Sequence, residues 1–185
     1  MIWLISDTHF NHENIIDYGK RPFQIVAAMN ATMIQRWNKA VKPDDTVFHL
    51  GDFAFGNSVH IKFLLDRLPG RKILIRGNHD HKGNEALMQC GFLAVLNYAR
   101  IEHIGLSIGL NHRPLDELPL NTDCVFHGHL HQGRAEDQLR AGENPLPPLF
   151  NLNLSVEKTG YAPISLPTAI KMLEKQWKGS GYTKS

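Results

Sequence analysis

The strongest constraint on this chain is an arrangement that recurs along it: an apolar run that ends abruptly in side chains able to ligate a metal. Residues 2–6 lead into Asp7-Thr8-His9, and residues 46–50 into Gly51-Asp52. Residues 72–75 lead through Arg76 into Gly77-Asn78-His79-Asp80, and residues 124–127 into Gly128-His129-Leu130-His131. A further histidine, His112, follows the run that ends at Leu110. Each run has the length and composition of a buried strand. Strands that finish this way collect nitrogen and oxygen ligands at one sheet edge, in numbers sufficient for two metal ions. Histidines scattered over a surface would show no such order.

The remaining sequence alternates with these strands. Apolar residues Val26, Met29, Met33 and Trp37 recur at three- and four-residue steps and predict a helix over 24–40, stopped by Lys42-Pro43-Asp44-Asp45. Ser58 is placed to cap a second helix with Ile61, Leu64, Leu65 and Leu68 on its apolar face, ended by Pro69-Gly70. A short helix over 85–90 ends at Gly91. Short apolar bursts over 92–110, with Gly105 between two of them, suggest antiparallel strands. The stretch 134–148 reads as a rim loop and 149–154 alternates. Pro167 opens a final helix with Ile170, Leu173 and Trp177 on one face, and 179–185 reads as a mobile tail. Strand–helix alternation followed by strand-rich sequence predicts a single α/β layered domain over 1–178. Its ligands would lie at strand carboxyl ends, the usual place for sites in open α/β sheets.

Composition narrows the function classes. With 185 residues, 42% of them hydrophobic, there is room for one sizeable core. Twenty basic against 18 acidic residues leave a net charge of +2, too balanced to argue for DNA wrapping or membrane adhesion. The 11 histidines outnumber the tyrosines and tryptophans combined. Cys90 and Cys124 have neither ligand spacing nor a disulfide framework and read as small buried residues. The amino terminus lacks the basic start of a signal peptide, and no run approaches the roughly 20 apolar residues of a membrane span. A reducing, cytoplasmic setting is the default expectation.

In order and in flanking residues, the five islands resemble the calcineurin-like metallophosphoesterases, over residues 1 to about 160. The resemblance implies a four-layer αββα sandwich of two mixed sheets flanked by helices, with a binuclear metal site at strand carboxyl ends. It places Asp7, His9, Asp52 and His131 around one divalent ion. Around the other it places Asp52, Asn78, His112 and His129. Two ions sharing a bridge sit roughly 3.5–4 Å apart, and Asp52 is the candidate bridging carboxylate. His103 and His127 are the rivals of His112 for the last ligand position, while His49 and His127 read as packed strand histidines. Among metals, manganese comes first, with iron, zinc, nickel and magnesium as alternatives.

The resemblance further implies hydrolysis of phosphoesters by a metal-bridging hydroxide, with His79 as general acid and Asp80 orienting its imidazole. Arg76, Asn11, His12 and Arg113 are candidate substrate contacts, with Asn14 and Arg21 behind them. Gly-Asp-Phe-Ala-Phe-Gly at 51–56 departs from the Gly-Asp-x-Val-Asp-Arg-Gly signature of the protein serine/threonine phosphatases. The chain also lacks the capping domain of the DNA-repair nucleases. Unlike the retromer subunit that uses this fold as a scaffold, it fills every ligand position. A small stand-alone phosphodiesterase acting on aryl diesters or 2′,3′-cyclic nucleotides is the resulting expectation, as in bacteria and phages. A nuclease using Arg21, Arg76, Arg113 and Arg134, and a non-enzymatic interaction module, are the alternatives.

Overall fold

The computed structural model describes residues 1–131 and 150–180. Its first sheet has the order β4-β3-β2-β1-β9. Strands β1 (Ile2–Ile5), β2 (Thr46–His49), β3 (Arg71–Ile75) and β4 (Ala94–Leu96) run parallel, and β9 (Ile164–Ser165) is antiparallel to β1. The second sheet has the order β5-β6-β7-β8. There β5 (Ala99–His103) and β6 (Leu106–Leu110) form an antiparallel pair, and β6, β7 (Cys124–His127) and β8 (Asn151–Asn153) are parallel. Two mixed sheets flanked by helices are thus the architecture, as the resemblance implied.

Strand periodicity explains why the first sheet reads as unbroken apolar runs. Ile5, Val47 and Leu74 point to one core, and Leu4, Phe48 and Ile75 to another on the opposite face. A sheet buried on both faces needs apolar side chains at every position. The first core is closed by α2 (Val26–Ala40), α3 (Ser58–Asp66) and α4 (Asn84–Cys90). Met29, Met33 and Trp37 stack at four-residue steps into it, and the Trp37 indole N–H donates to the Pro69 carbonyl at 3.0 Å. Each such buried side chain contributes about 1.5–3 kcal/mol. The second core lies between the sheets, where Leu106, Ile108, Leu110, Cys124 and Phe126 meet the first sheet. Helix α6 (Leu166–Ser180) adds Leu166, Ala169, Ile170 and Leu173 to this core and packs on β1, β8 and β9.

Several local expectations change. Asn57, not Ser58, caps α3: its side chain accepts the His60 N–H at 3.0 Å, and Ser58 is the first helical residue. Only β5 and β6 of the 92–110 stretch are antiparallel, because β4 joins the first sheet as its parallel edge. Three short elements, α1 (Ile15–Tyr18), α5 (Val156–Thr159) and β9, have too few residues to show a period. The final helix runs through Gly179 and Ser180. The loop expected over 134–148 and the rest of the tail lie outside the described residues. Both cysteines are buried and neither forms a disulfide, and among the described residues no helix is long and apolar enough to cross a membrane.

Candidate metal centre

The parallel strands of both sheets point their carboxyl ends at one place. Beyond β1 and β2 the ladder continues through the ligand loops: the Asp7 N–H donates to Gly51 O and the His9 N–H to Asp52 O, both at 3.0 Å. The loops then turn sharply. Asp7, His9, Asp52 and His129 all take left-handed backbone angles, with φ of 57°, 47°, 57° and 67°. Each such residue costs on the order of 1–3 kcal/mol, and this cost persists only where the surroundings impose it. Two glycines allow the crowding. A Cβ at Gly77 would run into the Asp52 carboxylate, and one at Gly128 into Ser6 Oγ and the Asp7 carboxylate.

Two groups of ligand atoms result. Asp7, His9 and His131 form one, Asp52, His112 and His129 the other, with the atoms of each group within 4.8 Å of one another. Asp52 faces both: its Oδ2 lies 3.5 Å from His9 Nε2 and 3.4 Å from His112 Nε2. Its Oδ1 accepts the His79 backbone N–H at 2.8 Å. Asn78 Oδ1 lies 3.0 Å from His112 Nε2, beside the second group. His131 Nε2 lies 3.4 Å from Asp7 Oδ1.

The outer partners fix which imidazole nitrogen faces inward, as is usual for metal-ligating histidines. His112 Nδ1–H donates to the Leu50 carbonyl at 2.8 Å, and His131 Nδ1–H to Glu157 Oε1 at 3.0 Å. His9 Nδ1 pairs with His12 Nδ1 at 3.3 Å. In all three rings Nε2 therefore points to the centre. Two atoms at the centre, Asp7 Oδ1 and His9 Nε2, are buried with no hydrogen-bond partner. Buried polar atoms are ordinarily satisfied, and a carboxylate oxygen beside a bare imidazole nitrogen suits a divalent cation. The donor set of carboxylate, amide and imidazole fits two such ions.

Electrostatics agree. Burial pushes His9 well below its ordinary range, although Asp52 pulls the other way. Burial also works against charge on His112, but the bond to Asp52, the Asp7 and Asp52 charges and the Leu50 carbonyl outweigh it, raising its pKa to about 9. His131 is raised as well: Asp7 and Glu157 overcome its burial. Burial would lift Asp52, yet His112 and His9 hold it well below the carboxylate range. A divalent ion needs neutral imidazoles, so loading the centre must expel these protons. Affinity should accordingly rise by about tenfold per pH unit for each proton displaced, and flatten once His112 loses its proton near pH 9. Calorimetric titration with Mn²⁺ in buffers of different ionisation enthalpy counts those protons. An affinity constant between pH 6 and pH 9 would contradict the assignment.

Residues 1–145 match the family model of the calcineurin-like phosphoesterase superfamily domain. The chain belongs to that superfamily. It is 38% identical over 179 residues to uncharacterized protein MJ1445 of Methanocaldococcus jannaschii, covering 94% of this chain and 92% of that one. Gene 66 protein of Mycobacterium phage L5 is 36% identical over 81 residues, 42% of this chain and 39% of its own. Among solved structures, the protein of unknown function AQ665 from Aquifex aeolicus aligns with a TM-score of 0.71 and 33% identity. That alignment covers 93% of this chain and 98% of its partner.

Around this calcineurin-like centre, other expected residues take different places. The Asp80 carboxylate is buried and accepts three backbone N–H groups, from Asp52 and Gly77 at 2.8 Å and Phe53 at 3.0 Å. It clamps two ligand loops together, a role different from the expected contact to the His79 imidazole. His79 itself is half-buried, its ring centroid 5.4 Å from that of His9. With His9, Asp52, His129 and His131 it opens into a pocket of about 330 Å³.

Arg76, expected to reach phosphate, instead holds Asn84 Oδ1 at 2.5 Å and the Lys82 carbonyl at 2.6 Å. Asn11 is tied to α2: its Oδ1 accepts from Asn30 Nδ2 at 2.7 Å. His12 does line the pocket, and Asn14 precedes α1. Arg113 is half-buried one residue past His112, its carbonyl accepting from Asn111 at 2.8 Å. Of the rivals of His112, His127 lies in β7 with Nδ1–H on the Gly128 carbonyl, and burial lowers its pKa to about 4. His103 ends β5. His49 meets Thr8 Oγ1 at 2.9 Å; that hydroxyl donates to Phe53 O, so His49 Nε2 is the donor.

Two supporting residues, Glu157 and Ser155, escaped the sequence reading, and Arg21, expected on the substrate side, joins them behind the site. Glu157 Oε1 joins His131 to Arg21 Nε at 2.9 Å, and Arg21 is buried with its guanidinium on the Asp7 and Thr8 carbonyls at 2.7 and 2.9 Å. Ser155 Oγ lies 3.2 Å from Asp7 Oδ2. Glu157→Ala would strand a buried arginine and release His131. We expect it to weaken metal binding by about 10–100-fold and the folded state by about 3–5 kcal/mol. Urea unfolding and metal titration read the two effects, and wild-type values in both would refute this support role.

Proposed function

We propose that this chain is a binuclear, metal-dependent phosphodiesterase. The observation that carries the reading is the placement of one oxygen, Asp52 Oδ2, toward both ligand groups while Asp7 Oδ1 and His9 Nε2 stand buried without a hydrogen bond. Asp7, His9, Asp52 and His131 would hold one divalent ion, and Asp52, Asn78, His112 and His129 the other. When bound, such ions supply Lewis-acid charge that draws in phosphoryl oxygens and acidifies water.

The chain's own groups complete the reaction. Leu50, Glu157 and His12 aim the imidazoles, and Asp80 locks the loops that carry Asp52 and Asn78. His79, half-buried at the pocket, gives its proton to the leaving oxygen as the P–O bond breaks, which makes a poor leaving group tolerable. Small diesters, among them aryl diesters and 2′,3′-cyclic nucleotides, are the substrate class. Manganese is the first metal to test, and two buried thiols outside any disulfide accord with a reducing cytoplasm.

The nuclease alternative loses two of its four basic residues: Arg21 is buried behind the site and Arg76 braces the turn at 82–84. Arg134 lies outside the described residues. An interaction module would not need intact inward-facing donors. Reconstitution with Mn²⁺, Ni²⁺, Zn²⁺ or Mg²⁺, followed by assays on mono-, di- and cyclic phosphoesters, tests the reading. Metal-dependent hydrolysis of diesters above monoesters is expected. No turnover with any metal would contradict it.

A further inference from the structure

The pocket over the metal centre has a wall that metal binding does not require. Beside the ligands and His79 it is lined by His12, Ile15, Tyr18 and Phe55. Phe55 and His12 lie face to face, ring centroids 3.9 Å apart and planes inclined by 21°. Both are held by backbone: Phe55 N–H donates to Phe10 O at 2.8 Å and His12 N–H to His9 O at 3.1 Å. Asn11, pinned by Asn30, reaches the Phe55 carbonyl at 3.4 Å. These bonds fix the backbone that carries the two stacked rings.

Tyr18 differs. Ile15 anchors α1 in the core at 4% exposure, whereas Tyr18, one turn later, is 63% exposed while lining the same pocket. An aromatic ring left in water on the lining of a pocket that also holds a stacked pair of rings is suited to covering a flat ligand.

We propose that His12, Ile15, Tyr18 and Phe55 form a platform that selects phosphoesters whose retained, non-leaving substituent is planar and aromatic, whether a simple aryl group or a nucleobase. This rests on the phosphodiesterase reading and adds the substrate's shape to it. The test keeps the leaving group constant. The manganese-loaded protein is assayed on p-nitrophenyl esters of methyl phosphate, phenyl phosphate and thymidine 5′-phosphate. The aromatic esters should exceed the methyl ester in kcat/KM by about tenfold, an effect of the size of one base–aromatic stack. Tyr18→Ala and Phe55→Leu should each shrink that ratio, chiefly through KM, with circular dichroism and manganese content confirming intact protein. A thymidine ester preferred over the phenyl ester identifies the nucleobase as the group recognised; the reverse identifies a simple aryl group.

Hydrolysis of all three esters at equal kcat/KM overturns the platform and leaves the phosphodiesterase reading standing. So does a ratio unchanged in both variants. A parallel measurement is independent of turnover: calorimetric binding of phenylphosphonate against methylphosphonate to the manganese-loaded protein. If no ester is hydrolysed yet phenylphosphonate binds about tenfold tighter, and Tyr18→Ala removes the difference, the reaction is wrong and the platform survives. Equal binding of the two phosphonates overturns the platform.

Discussion

Asp52→Asn is expected to release both metal ions together, weakening each by more than about 100-fold, since loss of even an outer partner commonly costs 10–100-fold. The fold should tolerate the change. Asn offers an oxygen that can keep accepting the His79 N–H, the contact that orders the turn at 77–80. What it cannot keep is the second oxygen, 3.5 Å from His9 Nε2 and 3.4 Å from His112 Nε2. There an NH₂ group would turn positive hydrogens toward both cations. Elemental analysis after dialysis against limiting manganese reads the result. One ion retained at full occupancy would mean that Asp52 serves only the other.

His79→Ala should do the opposite: keep both metals and lose about 10²–10⁴-fold in turnover on alkyl leaving groups, the usual contribution of a general acid. Retention of metal follows from the geometry, because residue 79 holds Asp52 through its backbone N–H, which alanine preserves. The loss should shrink for p-nitrophenolate, which leaves without protonation. A variant equally impaired on good and poor leaving groups would not have lost a proton donor. One emptied of metal would show that the imidazole supports the centre directly.

The sequence disclosed which side chains gather at the sheet edge because strand-end placement leaves little choice. A carboxylate or imidazole set immediately after a buried run must emerge at a sheet edge, and the parallel ends of β1, β2, β3, β6 and β7 bring those edges together. His49 and His127, lodged inside runs, could be set aside on the same ground. The outer ring left no such trace. Glu157 sits 26 residues from His131 and 136 from Arg21, and only the packing of α5 against the β1 loop joins them. Arg76 and Asn11 looked available to substrate because sequence shows a side chain's chemistry but not the carbonyl or amide that has already engaged it. Asp80 is the sharpest case. Adjacency to His79 suggested a partner for the imidazole, yet a tight turn directs the carboxylate backward onto three amides.

Anomalous diffraction from manganese-soaked crystals bears most directly on the whole account. Two peaks are expected, one among Asp7, His9 and His131 and the other among Asp52, His112 and His129, with Asp52 touching both. A single peak, or density elsewhere with these side chains unliganded, would contradict it.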